Sequence, residues 1–435
     1  MLGVLRKTAP VVGTPRNHDH GMATMKYTGW MLGLRCSCTR VDARVHDSLW
    51  LFLVVGWTAG LLGCERNTID TDNGDETGTS APASNPIIAG DAHTCALTST
   101  GVWCWGDNEY GQLGINSNDD SYLPVAVQGL PKSVQAVAAG VYHTCALSNG
   151  RVWCWGDNVL GALGNGSTTD SLVPVPVQGL PNGVTAIAAG AYHTCAVVNQ
   201  GVWCWGENAY GQLGDNSTTY RLLPVSVQGL SAGVQAITAG DAHTCALVDD
   251  GVQCWGWYGL DQPGDGPDPR AMHLLPTAIE GLSAGVQAVV AGSSHTCVVV
   301  NGGAQCWGWN GSGQLGDGLI TGSFVPVPVQ GLSAGVEAIS AAWDFTCALV
   351  NGGVQCWGYA REIGGNENNW AFDVPVPTPV VGLASGVTAI SSRGEHTCVV
   401  VNGGIECWGE NDDGELGDNS DVRTFAPVPV QGITL

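Results

Sequence analysis

The stretch HTCALSNGRVWCWG, residues 143–156, sets an apolar run on either side of Asn149-Gly150 and puts a cysteine in each, nine positions apart. Asn-Gly between apolar runs is a strong hairpin signal, because a type I′ turn needs φ > 0 at both central residues. A two-residue loop there pairs Ser148 with Arg151, Leu147 with Val152, Ala146 with Trp153 and Cys145 with Cys154. Counting outward from the turn, the cysteines meet at a non-hydrogen-bonded position, where Cα atoms approach to about 4.5 Å. That lies at the short end of disulfide reach. The spacing predicts a cross-strand disulfide.

The same spacing returns at Cys95/Cys104, Cys195/Cys204, Cys245/Cys254, Cys297/Cys306, Cys347/Cys356 and Cys398/Cys407. Asn-Gly recurs at 301–302, 351–352 and 402–403, followed there by another glycine. A three-residue loop with a bulge at those turns would shift the register by one and spoil the opposition. Steps between successive first cysteines are 50, 50, 50, 52, 50 and 51 residues. Self-similarity at such a period means a propeller or a solenoid. Each unit holds four short β-type runs, in the second unit 136–139, 144–147, 152–155 and 173–177, bounded by Gly, Asn and Pro. No long run has helical periodicity. The expected fold class is all-β, a seven-bladed β-propeller with four-stranded blades over residues 85–435.

The unit carries A-G-x-x-H-T (Ala139-Gly140, His143-Thr144) and W-G-x-N-x-x-G-x-L-G (Trp155-Gly156, Asn158, Gly161, Leu163-Gly164). In these stretches it closely resembles the regulator-of-chromosome-condensation repeat family. The resemblance implies a seven-bladed ring, often closed in that family by pairing a strand from one terminus with the other. The first unit lacks a preceding P-V-P-V-Q-G run and the chain ends with one. Residues 426–435 are therefore expected to complete the first blade.

Residues 1–63 differ in kind. They carry seven Lys and Arg and three Asp and Glu, then run into LWLFLVVGWTAGLLGC at 49–64. That apolar stretch has signal-peptide length and falls short of the roughly 20 residues of a membrane span. Its basic flank is long, and Met31 offers a later start. Leu61-Leu62-Gly63-Cys64 resembles the lipobox of bacterial lipoproteins, which implies a lipidated Cys64, membrane attachment through the lipid alone, and export to the bacterial cell envelope, at the outer membrane or cell surface. Export to an oxidising compartment suits disulfides. Residues 64–84, polar and acidic, read as a flexible linker. Asp70, Asp72 and Asp75 faintly resemble the start of a calcium loop, but Ala81 stands where such a loop needs a bidentate Glu.

From residue 64 onward, 8 Lys and Arg face 35 Asp and Glu, a net of −27. So acidic a surface repels phosphate backbones, which disfavours nucleic acid. His143, Cys145 and Cys154 could be read as zinc ligands, but each unit lacks a fourth ligand and the sixth has Phe345 in place of the histidine. A catalytic pair copied into every unit is less reasonable than scaffold. No nucleophile elbow, P-loop, dinucleotide fingerprint or H-E-x-x-H is present. The expectation is a non-enzymatic monomer that needs no cofactor.

Function should then sit where the units differ. The fourth and sixth lose the G-Q-L-G signature, and Trp257, Tyr258, Trp309, Tyr359 and Trp370 come from that sector. Aromatics are enriched among binding hot spots. A second row, Trp103, Trp153 and Trp203, is replaced by Gln253, Gln305, Gln355 and Glu406 in the later units. The first set points to a protein partner, and the second to stacking on a glycan in a lectin-like manner. Packing between units would account for either set equally well.

Overall fold

Twenty-eight strands, grouped as seven separate four-stranded sheets, make up the computed structural model, which describes residues 85–257, 272–359, 361, 363–364 and 373–435. Cys64, Tyr258 and Trp370 lie outside the described residues. Each sheet is one blade, antiparallel and consecutive in sequence. The second blade runs Val134–Ala139, His143–Ser148, Arg151–Gly156 and Ser171–Pro176. First strands touch the first strands of both neighbouring blades around a closed circle, so they are innermost and the fourth strands outermost. Crowding of seven inner strands explains why they end in small residues such as Ala138-Ala139 and Ala188-Ala189, all fully buried. Among the described residues no helix is long and apolar enough to cross a membrane.

The hairpin register is the one the turn dictates. Ser148 opposes Arg151 and Cys145 opposes Cys154. Asn149 and Gly150 have φ of 51° and 70°, as a type I′ turn requires. The Asn-Gly-Gly turns keep the same two-residue loop, with Val300 opposite Gly303 and Cys297 opposite Cys306. The third blade turns on Asn199-Gln200 and the fourth on Asp249-Asp250, all four at positive φ without glycine.

Every blade carries its disulfide between second and third strands. The bonds are Cys95–Cys104, Cys145–Cys154, Cys195–Cys204 and Cys245–Cys254 in blades one to four. Cys297–Cys306, Cys347–Cys356 and Cys398–Cys407 follow in blades five to seven. Cα atoms stand 4.0–4.1 Å apart in all seven, closer than the spacing of about 4.5 Å expected for such a pair. All fourteen cysteines are fully buried, so they are scaffold and none faces a ligand from the surface. Each bond closes a short loop and removes chain entropy from the unfolded state, worth about 2–3 kcal/mol apiece in that account.

The ring closes differently from the expectation. Thr424–Pro429 pairs with Gly404–Gly409 of its own seventh blade, not with the first. The first blade is complete in itself, because Ser121–Ala126 is its outer strand. The P-V-P-V run ends each unit as a fourth strand, so units and blades coincide and, among the described residues, no strand is left over to staple the termini.

What joins blades is a repeated side-chain interlock. His143 Nε2 meets Thr194 Oγ1 of the next blade at 2.9 Å, and Thr194 Oγ1 donates to the Ala162 carbonyl at 3.0 Å. Trp205 Nε1 donates to that same carbonyl at 2.8 Å. A hydroxyl has one proton, so the imidazole is the donor to it and carries its proton on Nε2. The histidine–threonine contact recurs in six seams, through His93–Thr144, His193–Thr244, His243–Thr296, His295–Thr346 and the closing His396–Thr94 as well. Gly164, at φ +62°, lies beneath the Trp205 indole, and a Cβ there would stand 2.7 Å from Trp205 Nε1. The histidine, threonine, tryptophan and final glycine of the repeat are thus mortar between blades.

Candidate functional site

Antiparallel order places the loops after first and third strands on one face of the ring, and the Asn-Gly hairpins on the other. The first of these, the loop face, gathers the residues that differ between blades. The position after each W-G is Asp107, Asp157, Glu207, Trp257, Trp309, Tyr359 and Glu410 in turn. Acidic residues stand there in blades one, two, three and seven, and aromatics in blades four to six. Trp257 and Tyr359 are half-buried and Trp309 is 38% exposed. These three sequence candidates share a face.

Four further aromatics belong to it. Tyr142 and Tyr192 end the loops after the first strands of blades two and three, and Tyr110 and Tyr210 lie in loops after third strands. The Tyr142 ring is 4.7 Å from Tyr110 of blade one and 6.3 Å from Tyr192 of blade three. Tyr210 stacks on Trp257 of blade four at 5.1 Å and 21°. All are half-buried, so an arc of rings crosses three blade junctions. Sequence reasoning missed them because the fold alone brings different loops together. The available signal was a tyrosine before His143 and His193 where other units carry Ala, Ser, Asp or Glu.

Carboxylates frame the arc. Burial pushes the Asp107 carboxyl up to about 6, with Asp413, Asp120 and Glu109 adding to the rise and the Glu109 amide opposing it. Gln112 Nε2 donates to Asp107 at 2.7 Å. Burial raises Glu207 to about 7. Asp157 and Asp413 are also raised, chiefly by burial. The Tyr192 hydroxyl is pushed up to about 12 by burial and the nearby Asp157, Asp91 and Glu207.

Beneath this face a buried cation reaches from one blade to another. Arg393 of blade seven, fully buried, donates from Nη1 to the Ala139 carbonyl of blade two at 2.5 Å. It stands where other blades have Gly90, Gly140, Gly190, Gly240, Gly292 or Ala342. Burial lowers it to about 9, against the opposing pull of Asp91 and Asp241. Its sequence signal was I-S-S-R-G in place of the usual A-A-G. The side chain thereby ties blade seven to blade two.

Trp103, Trp153 and Trp203 lie elsewhere. Each shares a sheet face with the buried interlock tryptophan two residues on, toward the preceding blade and the hairpin end. All three are half-buried, and Trp103 Nε1 donates to Thr100 Oγ1 at 3.1 Å. Burial pushes the interlock imidazoles of His143, His193 and His295 down to about 3, keeping them neutral. Among the described residues, no group of three or more His, Cys, Asp or Glu is placed to hold a metal ion.

Similarity to known proteins agrees with this geometry. Short segments match the serine/threonine-protein kinase Nek9 of Xenopus laevis, 49% identical over 43 residues, and the probable E3 ubiquitin-protein ligase HERC4 of Homo sapiens, 42% over 45. Each segment is 10% of this chain and only 5% and 4% of those relatives. Among solved structures, Prp20p of Saccharomyces cerevisiae superposes with a TM-score of 0.67 at 22% identity, covering 76% of this chain and 85% of that one. Human WBSCR16 gives 0.66 at 25%, covering 75% and 93%. The RCC1-like domain family model matches residues 58–333, more than half of the sequence. The chain belongs to the RCC1-like domain family.

Proposed function

We propose that this propeller is a non-enzymatic binding module, held to a bacterial cell envelope by a lipid on Cys64, which engages a protein partner through its loop face. Residues 1–63 act as the export signal, 64–84 as the tether and 85–435 as the displayed ring. The observation that carries the reading is the arc of half-buried rings, Tyr110, Tyr142, Tyr192, Tyr210 and Trp257, meeting across blade junctions on one face. Amphipathic rings held by their neighbours offer contact area at small entropic cost. Solved family structures include Prp20p, described with its binding to Gsp1p and histones, and yeast RCC1 bound to Kap60. The Trp103 row supports a glycan less well, because Trp203 packs against the core and Trp103 Nε1 already donates to Thr100 Oγ1.

Photo-crosslinking groups at Val159, 60% exposed on the loop face, and at Asp250, on the hairpin face, test this. Protein adducts are expected from position 159 only. Equal labelling from both faces, or none from 159, overturns the reading. Metabolic labelling with a fatty-acid analogue should be lost in Cys64→Ser, and labelling that persists rules out the anchor.

A further inference from the structure

The charge on the loop face says what kind of partner it takes. Between residues 85 and 230, which span blades one to three, all nine Asp and Glu fall in loops that open on this face. The three Lys and Arg of the same span divide otherwise. Lys132 and Arg151 lie at the hairpin face, and Arg221, on the loop face, is held by Asp215 at 2.6 Å. The two faces of these blades are oppositely charged, and the one cation that reaches the anionic side from elsewhere, Arg393 of blade seven, is fully buried beneath it.

The tyrosine row sits inside that field. Carboxylates of Asp91, Asp107 and Asp157 bear on the rings of Tyr110, Tyr142 and Tyr192. A ring face attracts a cation within about 6 Å through its quadrupole, and more strongly where water is partly excluded. Lysine and arginine also lay apolar stems along aromatic surface while their charge finds a carboxylate. Neither an acidic nor an apolar segment gains from both features together.

We propose that the Tyr110–Tyr142–Tyr192 row docks a lysine- or arginine-rich segment of the protein partner. This deepens the loop-face reading and rests on it. Binding combines a guest cation over the tyrosine faces with long-range attraction from the surrounding carboxylates. Affinity therefore falls with ionic strength as well as with loss of the rings.

The test uses the full chain in detergent and three labelled twelve-residue peptides, one rich in Lys and Arg, one in Glu, and one in Gln and Ser, read by fluorescence anisotropy at two salt concentrations. The cationic peptide should bind at least 10-fold more tightly than the other two and weaken several-fold at higher salt. Tyr142→Ala with Tyr192→Ala should cost at least 10-fold. Because those rings pack on neighbours, Glu109→Lys with Val159→Lys, both exposed, is the second variant, expected to weaken binding 10-fold with no change in thermal midpoint. Equal binding of the neutral peptide, or unchanged affinity in the lysine variant, overturns the inference. Adducts at position 159 that the cationic peptide fails to displace overturn it while leaving the loop-face reading intact; absence of any adduct overturns both. A chain that forms head-to-tail dimers, with Lys132 and Arg151 of one copy on this face of another, also overturns it, and sedimentation detects that.

Discussion

The two seams that flank blade seven are built differently. At the closing seam, His396 Nε2 donates to Thr94 Oγ1 at 2.8 Å, and Thr94 Oγ1 and Trp105 Nε1 both donate to the Glu415 carbonyl. Ala89 N donates to Ser391 Oγ and Asn85 Nδ2 to the Ile390 carbonyl, adding two further cross-seam bonds. At the seam between blades six and seven, Phe345 replaces the histidine and is fully buried. Thr397 there turns back to Ser392 Oγ of its own blade, and Ser392 N donates across to Ser340 Oγ. One seam is joined by the polar interlock, its neighbour by an aromatic ring and a serine pair. The ring tolerates both, so the recurring histidine is a joint that apolar packing can replace. Among the described residues no strand staples the closing seam, and its polar joint carries that load.

The largest expected effect concerns the side chain of Glu415 at the closing seam. Burial pushes its carboxyl up to about 8, with Asp413 and Asp412 adding to the rise. In the unfolded chain a glutamate ionises near 4.3. Between those values the folded state binds the extra proton, so stability from this group falls as pH rises from about 4.5 to 8. Gln112, Gln212 and Gln314 occupy the same position in blades one, three and five. Glu415 Oε2 already accepts from Asp413 N as Gln112 Oε1 does from Tyr110 N. Glu415→Gln should thus stabilise by roughly 4 kcal/mol at pH 8.5 and by nothing below pH 4. Thermal melts across that range check it, and a difference that is flat with pH refutes the assignment.

Next in size is the threonine contrast. Thr94→Val strands the His396 Nε2 proton in a dry seam and removes two bonds, at about 2–4 kcal/mol. Thr397→Val loses one bond, to a serine whose backbone N–H still donates to Ser340 Oγ, at about 1 kcal/mol or less. Paired urea titrations measure both. Similar costs would mean the interlock is no stronger than the seam that lacks it.

Much of this was legible beforehand. The hairpin register at Asn149-Gly150, the seven disulfides and the four strands per unit follow from local chemistry and a countable period. The partner of His143 did not, because it lies 51 residues away on another blade. Ring closure was misjudged because a repeat read from sequence has no natural first residue; only pairing shows that P-V-P-V ends a blade. The face was half legible. Trp257, Trp309 and Tyr359 stood out as departures from the repeat, whereas Tyr110 and Tyr142 join only once neighbouring blades are in place. Arg393 announced itself as a departure, but nothing local tells that its side chain spans from blade seven to blade two.

The smallest effect bears on why blade six abandoned its histidine. In blade five a Cβ on Gly292 would stand 2.5 Å from His295 Cε1, and in blade two a Cβ on Gly140 would stand 2.2 Å from His143 Nδ1. In loops of this shape the imidazole fills the space a Cβ would take; blade seven, with Arg393 three positions before His396, pairs those two residues directly and turns at Gly394 instead. Blade six has Ala342 there, with Phe345 as its partner. Phe345→His alone meets the Ala342 methyl and gives up apolar contact, so it should cost about 1–2 kcal/mol. Adding Ala342→Gly opens the space and lets Nε2 reach Thr397, recovering most of that loss. The pair should be non-additive by about 1 kcal/mol, since the residues share one packing site. A double-mutant cycle in urea reads the coupling. Strict additivity would show that the seam was shaped by something other than this glycine–histidine fit.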